Sequence, residues 1–268
     1  MKIWKLLIPV ALLWSCSEHT ELEPPNNPFD ALNPDYSRPF MELVNGPGEG
    51  EVWPSSSVYF DWAWNASATE FRVALDDLGW TDWDTETNYT FHFLDEGTHS
   101  AQFQSRSING AVQETPILRS FAVDAVVGNS YLIWPYRQSA SPGDTVTFTI
   151  MAEEVEDLFA LTVMLQPEPE LAYIGLETAD LVDAWGGNPL VIVDESPENP
   201  GASMTAVGAA TMAWSGTISV LEISFKLQDS APAGSEVHVL DFLDVRPVNS
   251  DLQAITVEEM RGGWLYVE

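Results

Sequence analysis

The side chains of this 268-residue chain that could do acid–base, nucleophilic or metal chemistry are one cysteine, four histidines and 41 acids. The histidines are His19, His92, His99 and His238, and no two share the short spacing that sets a pair of metal ligands on one element. Cys16 stands alone, so no disulfide can form within the chain. No serine or cysteine sits in a nucleophile motif. Glycoside hydrolysis needs two carboxylates at a set separation across a cleft. Acids are too numerous here for spacing to single out a pair, and Asp180, Asp183, Asp194 and Glu195 read as solvated loop carboxylates. No catalytic residue, metal or cofactor is expected, and the chain reads as non-enzymatic.

The tryptophans offer a different chemistry. An exposed indole can stack on a sugar ring while nearby acids accept its hydroxyl hydrogen bonds. Trp80 and Trp83 flank Thr81 and Asp82, and Trp185 stands in Ala184-Trp185-Gly186-Gly187. These three are the carbohydrate-binding candidates. Trp62 and Trp64 alternate with Asp61 and Ala63 behind Val58 and Phe60, which places both in a core. The net charge of −31 repels nucleic acid and anionic headgroups, so neither is an expected partner.

The first residues carry an address. Lys2 and Lys5 precede the apolar run Leu6 to Leu13, which is shorter than the roughly 20 residues a membrane span needs. Its shape is that of a secretory signal. The run ends Leu13-Trp14-Ser15-Cys16, which resembles the lipobox of bacterial lipoproteins. That resemblance implies cleavage after residue 15 and lipidation of Cys16, an anchor to which each buried methylene adds about 0.8 kcal/mol. Ser17 in place of an aspartate implies the outer membrane, facing either the periplasm or the outside. Residues 16–40 follow with Pro24, Pro25, Pro28, Pro34 and Pro39, a stiff spacer. Asp30, Asn33 and Asp35 lack the alternate-residue ligands and the glycine of a calcium loop.

The rest alternates with period two between turn signals, predicting an all-β chain of two sandwiches in series, over 41–125 and 126–268. In the first, Phe71, Val73 and Leu75 share one face, as do Ala101 and Phe103, and Phe121 and Val123. In the second, Val146, Phe148 and Ile150 share a face, as do Leu161, Val163 and Leu165, and then Leu221, Ile223, Phe225 and Leu227. The opposite parity of the 158–165 strand sends Leu158, Ala160, Thr162 and Met164 outward.

Two resemblances follow from these segments. Gly46-Pro47-Gly48-Glu49-Gly50, Val58 to Trp62, Phe71 to Asp76 and Trp80-Thr81-Asp82-Trp83 are similar to bacterial Ig-like, fibronectin-type modules. Pro142 to Phe148, Phe159 to Leu165 with Gln166-Pro167-Glu168, Gly216 to Leu227 and the closing Gly262 to Val267 resemble a cohesin domain. The second resemblance implies a nine-stranded jelly-roll related to some carbohydrate-binding modules. It also implies a dockerin-like module of another protein as partner, often one that degrades polysaccharide. Leu165-Gln166-Pro167 replaces the aromatic-Asp-Pro usual after the third cohesin strand, and the outward positions are less polar than in well-known cohesins. The expected partner face comprises Ala160, Thr162 and Met164, with Ser203 and Thr205 on a nearby strand.

Overall fold

The computed structural model describes residues 26, 27, 30, 32–210 and 213–268. The lipobox, Cys16 and most of the proline-rich segment lie outside the described residues.

The first unit has strands β1 (Met41–Asn45), β2 (Glu51–Trp53), β3 (Val58–Trp64), β4 (Glu70–Leu75), β5 (Asn88–Phe91), β6 (Gly97–Arg106) and β7 (Ile117–Val123). They form a three-stranded sheet, β1-β3-β5, and a four-stranded sheet, β2-β7-β6-β4. Alternation along the strands turns Phe60, Trp62, Phe71, Val73, Phe103 and Phe121 into one shared core. Aromatic rings dominate it: Phe60 lies 4.9 Å from Phe103 and 5.8 Å from Phe121 between centroids, inside the range where tilted rings attract. Trp64 departs from its expected place. It is 49 % exposed and meets Phe71 edge-on at 5.7 Å, at the end of β3 opposite Met41.

The second unit contains β8 (Ser130–Trp134), β9 (Arg137–Ala140), β10 (Thr145–Pro167), β11 (Leu171–Thr178), α1 (Asp180–Trp185), β12 (Leu190–Asp194), β13 (Gly201–Thr205), β14 (Trp214–Leu227), β15 (Glu236–Asn249), β16 (Met260–Arg261) and β17 (Gly263–Val267). The 23-residue β10 organises this sandwich by serving both layers. Its first half pairs with β8 and β14, and β14 pairs with β11. Its second half pairs with β13 and β15, and β13 pairs with β12. β15 continues to β17, which pairs in parallel with β9. The chain is thus all-β, two sandwiches in series.

β10 bends between layers where its register against β14 slips, at Ala152/Val155 and Val155/Leu158. Glu154 and Asp157 take positive φ there, 45° and 54°, a conformation few non-glycine residues adopt. Neighbouring polar groups hold the bend. Thr217 Oγ1 and Ser215 Oγ accept from the backbone N–H groups of Glu154 and Asp157, and Ser250 donates to Asp157 from both its N–H and its hydroxyl. The slip corrects one expectation. Leu158 does not face out; it is fully buried in the core beside Phe159, and alternation restarts only at Ala160.

The two units meet through a built interface. Tyr136 N–H donates to Asp95 Oδ1 at 2.5 Å, and Ala125 N–H donates to Glu96 Oε2 at 2.8 Å. Arg261 Nη1 pairs with Glu96 Oε1 at 2.8 Å, and the Arg261 guanidinium stacks 4.6 Å from the Tyr136 ring. Phe93 packs on Tyr136 and Trp264 at 5.6 and 6.1 Å.

Candidate functional site

Four strands present one outward face of the second sandwich, in the order β12-β13-β10-β15. Pairing sets its residues in rows. Leu190, Thr205, Ala160 and Val248 form one row; Ile192, Ser203, Thr162 and Arg246 the next; Asp194, Gly201, Met164 and Asp244 the third. The structure therefore brings Ala160, Thr162, Met164, Ser203 and Thr205 onto a single surface. Thr162 and Ser203 hydroxyls hydrogen-bond across the strands at 3.0 Å. Gly201 belongs in its row for a physical reason: a Cβ there would lie 2.3 Å from the Val163 carbonyl oxygen and would push β13 off β10.

Sequence reading missed the apolar part of this face. Leu190 and Ile192 on the edge strand β12 are 53 % and 60 % exposed. In the sequence, Leu190-Val191-Ile192-Val193 is a continuous apolar run, so parity gives no sign of which residues face out. Arg246 closes one side, paired with Asp244 at 2.8 Å, and Asp194 lies at the corner. The result is a surface with apolar side chains along its β12 edge, small and hydroxyl side chains in the middle and an ion pair on the β15 side.

The tryptophan candidates fare differently. Trp80 and Trp83 are half-buried, with guanidinium groups over their rings. Arg72 lies 4.5 Å from the Trp80 centroid and 4.4 Å from that of Trp83, and Arg106 lies 4.6 Å from Trp83. Both arginines are fixed. Arg72 donates twice to Gln104 Oε1, at 3.1 and 2.6 Å, and Arg106 donates twice to Glu70, at 2.7 and 3.0 Å. Trp185 is a correction. It is 0 % exposed, because α1 turns its ring into the core of the second sandwich with Leu181.

Ionisable groups cluster in two places. Glu168, His238 and Asp241 each bring one ligand-capable atom to within 4.8 Å of the others, with His238 Nδ1 3.4 Å from Asp241. Glu168 follows a different strand from the other two, so sequence spacing could not show this group. His99 contacts Asp76 through Nδ1 at 2.8 Å and the Asp95 carbonyl through Nε2 at 2.9 Å, a structural role at the base of β6.

Burial raises the pKa of Glu153, partly offset by a hydrogen bond from the Thr217 hydroxyl and reinforced by the nearby acids Glu96, Glu154 and Asp124. A carboxyl whose folded pKa lies above its unfolded value stabilises below the unfolded pKa and loses that contribution as pH rises through the folded one. Glu153→Gln, which keeps the acceptor for Thr217, is therefore expected to raise the melting temperature by about 1–2 °C at pH 7 and by nothing below pH 4. Scanning calorimetry at the two pH values checks this.

No protein-family model matches the chain, and no curated protein matches it. Solved cohesin structures do. The chain is similar to the sixth cohesin of scaffoldin B of Acetivibrio cellulolyticus, solved in complex with a Cel5 dockerin mutant. The two are 16 % identical over 53 % of this chain and 100 % of that one, with a TM-score of 0.45. It is also similar to a non-cellulosomal cohesin of the archaeon Archaeoglobus fulgidus, at 12 % identity over 53 % of this chain and 92 % of that one, with a TM-score of 0.42. A cohesin of Clostridium thermocellum, solved in a type I cohesin–dockerin complex, is 15 % identical over 53 % of this chain and 100 % of that one, with a TM-score of 0.41.

Proposed function

We propose that this chain is a non-catalytic, surface-anchored binding protein whose second sandwich holds a dockerin-like module of another protein through the β12-β13-β10-β15 face. The observation that carries the reading is the exposed apolar edge of that face, Leu190 and Ile192 on β12, continued through Thr205, Ala160, Ser203 and Thr162 to the Arg246–Asp244 pair on β15. An exposed apolar patch bordered by polar groups marks a protein interaction site. The cohesin-like segments of the sequence support a dockerin-like partner, and with it a setting in polysaccharide breakdown. The lipobox-like segment supports attachment through Cys16 at the outer membrane. The first sandwich and the proline-rich segment then hold the binding unit away from the bilayer.

The test is a pull-down from the native organism's secretome with the full chain as bait, read by mass spectrometry. Dockerin-bearing proteins are expected in the eluate. Ala160→Arg sets a charged side chain between Thr205 and Val248 and is expected to lower capture at least about tenfold. Ile192→Asp is expected to act in the same direction from a position exposed enough not to disturb folding. An eluate without such a partner, or capture unchanged in both variants, overturns the reading.

A further inference from the structure

The other sandwich layer carries a second, unrelated surface. Its outer rows are Trp134, Thr149 and Glu222, then Leu132, Met151 and Ser219, across β8, β10 and β14. Three elements wall this floor: α1 with Asp180, the start of β14 with Trp214, and Glu96-Gly97 of the first unit. Together they enclose an open cleft of about 800 Å³ at the junction of the two units. Clefts of this size, at unit boundaries and with few converging polar groups, are where small ligands bind.

Its chemistry is lopsided. Trp134 is 47 % exposed and gives the cleft an apolar aromatic surface. The polar groups are mostly acceptors. Ser219 Oγ donates to Asp180 at 2.7 Å and Thr217 Oγ1 donates to Glu153 at 2.8 Å, so these hydroxyls are occupied and fix the carboxylates in place. Glu222 and Thr149 sit beside one another on the floor. Among the described residues, no lysine, arginine or histidine lines the cleft.

We infer that this cleft binds a neutral oligosaccharide. A pyranose offers an apolar C–H face to an indole and a ring of hydroxyl donors to fixed carboxylates, the complement of what the cleft displays. An acidic sugar would meet the carboxylates of Glu153, Asp180 and Glu222, while Glu96 beside them is already paired to Arg261, so no free counter-charge lines the cleft among the described residues. The site is separate from the protein-binding face and stands or falls independently of it.

Isothermal titration of the full chain with cello-, xylo-, manno- and laminari-hexaose, hexagalacturonate and a glucosamine hexamer tests this. At least one neutral hexamer is expected to bind, with a Kd of about 10 μM to 1 mM that changes less than about twofold between 0.05 and 0.5 M NaCl. Trp134→Ala is expected to weaken it at least about tenfold, and Glu222→Gln, an exposed position safe for folding, about threefold or more. Ala160→Arg is expected to leave sugar binding unchanged, so this result and the pull-down fail separately. No heat with any neutral hexamer overturns the proposal. So does affinity unchanged in both cleft variants, or binding confined to the glucosamine hexamer and abolished by salt, which would make the cleft an amine site.

Discussion

Arg261→Ala is expected to lower the stability of the chain by about 3–5 kcal/mol, which corresponds to a fall in melting temperature of roughly 10 °C. The Arg261 side chain is 9 % exposed and that of its partner Glu96 is 14 % exposed. Removing one partner of so dry a pair leaves the other as an unpaired buried charge, which costs more than the pair itself contributes. One further contact would be lost with it. The guanidinium no longer stacks on Tyr136, and Glu96 is left with the Ala125 N–H alone. Asp95 next door is already strained electrostatically: burial raises its pKa, only partly countered by the Tyr136 N–H and the charge of Arg261. The double variant Arg261→Met with Glu96→Leu should recover most of the loss, since an apolar pair of similar volume often matches a buried ion pair. Calorimetry of the three proteins decides it. A loss below about 1 kcal/mol for the single variant would mean that water reaches the pair.

The elements were legible in the sequence wherever alternation ran without a break. Val146, Phe148 and Ile150 point inward as their period requires, and so do Leu161, Val163 and Leu165. From that parity the outward row of Ala160, Thr162 and Met164 could be read. It failed at Leu158, where two register slips reset the alternation, a backbone event with no fixed residue signature. Trp185 misled for another reason. Its two following glycines read as an exposed loop, yet they take positive φ, 64° and 68°, to end a short helix whose other face is buried. The aromatic cleft was out of reach altogether, because its walls come from segments as far apart as Glu96 and Glu222. The interface ion pair joins Glu96 to Arg261 and was hidden for the same reason.

Trp185→Ala is expected to cost about 3–5 kcal/mol, toward the lower end of that range. The indole is fully buried, so truncation leaves a large void that the surrounding strands fill only in part. The lower end is favoured because Trp185 Nε1 has no hydrogen-bond partner among the described residues, and deleting an unsatisfied buried donor returns part of the loss. The local effect should exceed the global one. α1 has six residues and no side-chain N-cap, far too short to persist unaided. It is held by Leu181 and Trp185, one turn apart on its buried face, and by the hydrogen bonds between Asp180 and Ser219. With Trp185 gone, the helix loses its main anchor, and the wall of the cleft loosens with it. The variant should therefore show a lower melting temperature and weaker sugar binding at temperatures where it is still folded, while capture of a protein partner by the β12-β13-β10-β15 face persists. An unchanged melting temperature with lost sugar affinity would instead put the indole itself on the surface as a stacking platform, the role its glycine flank first implied.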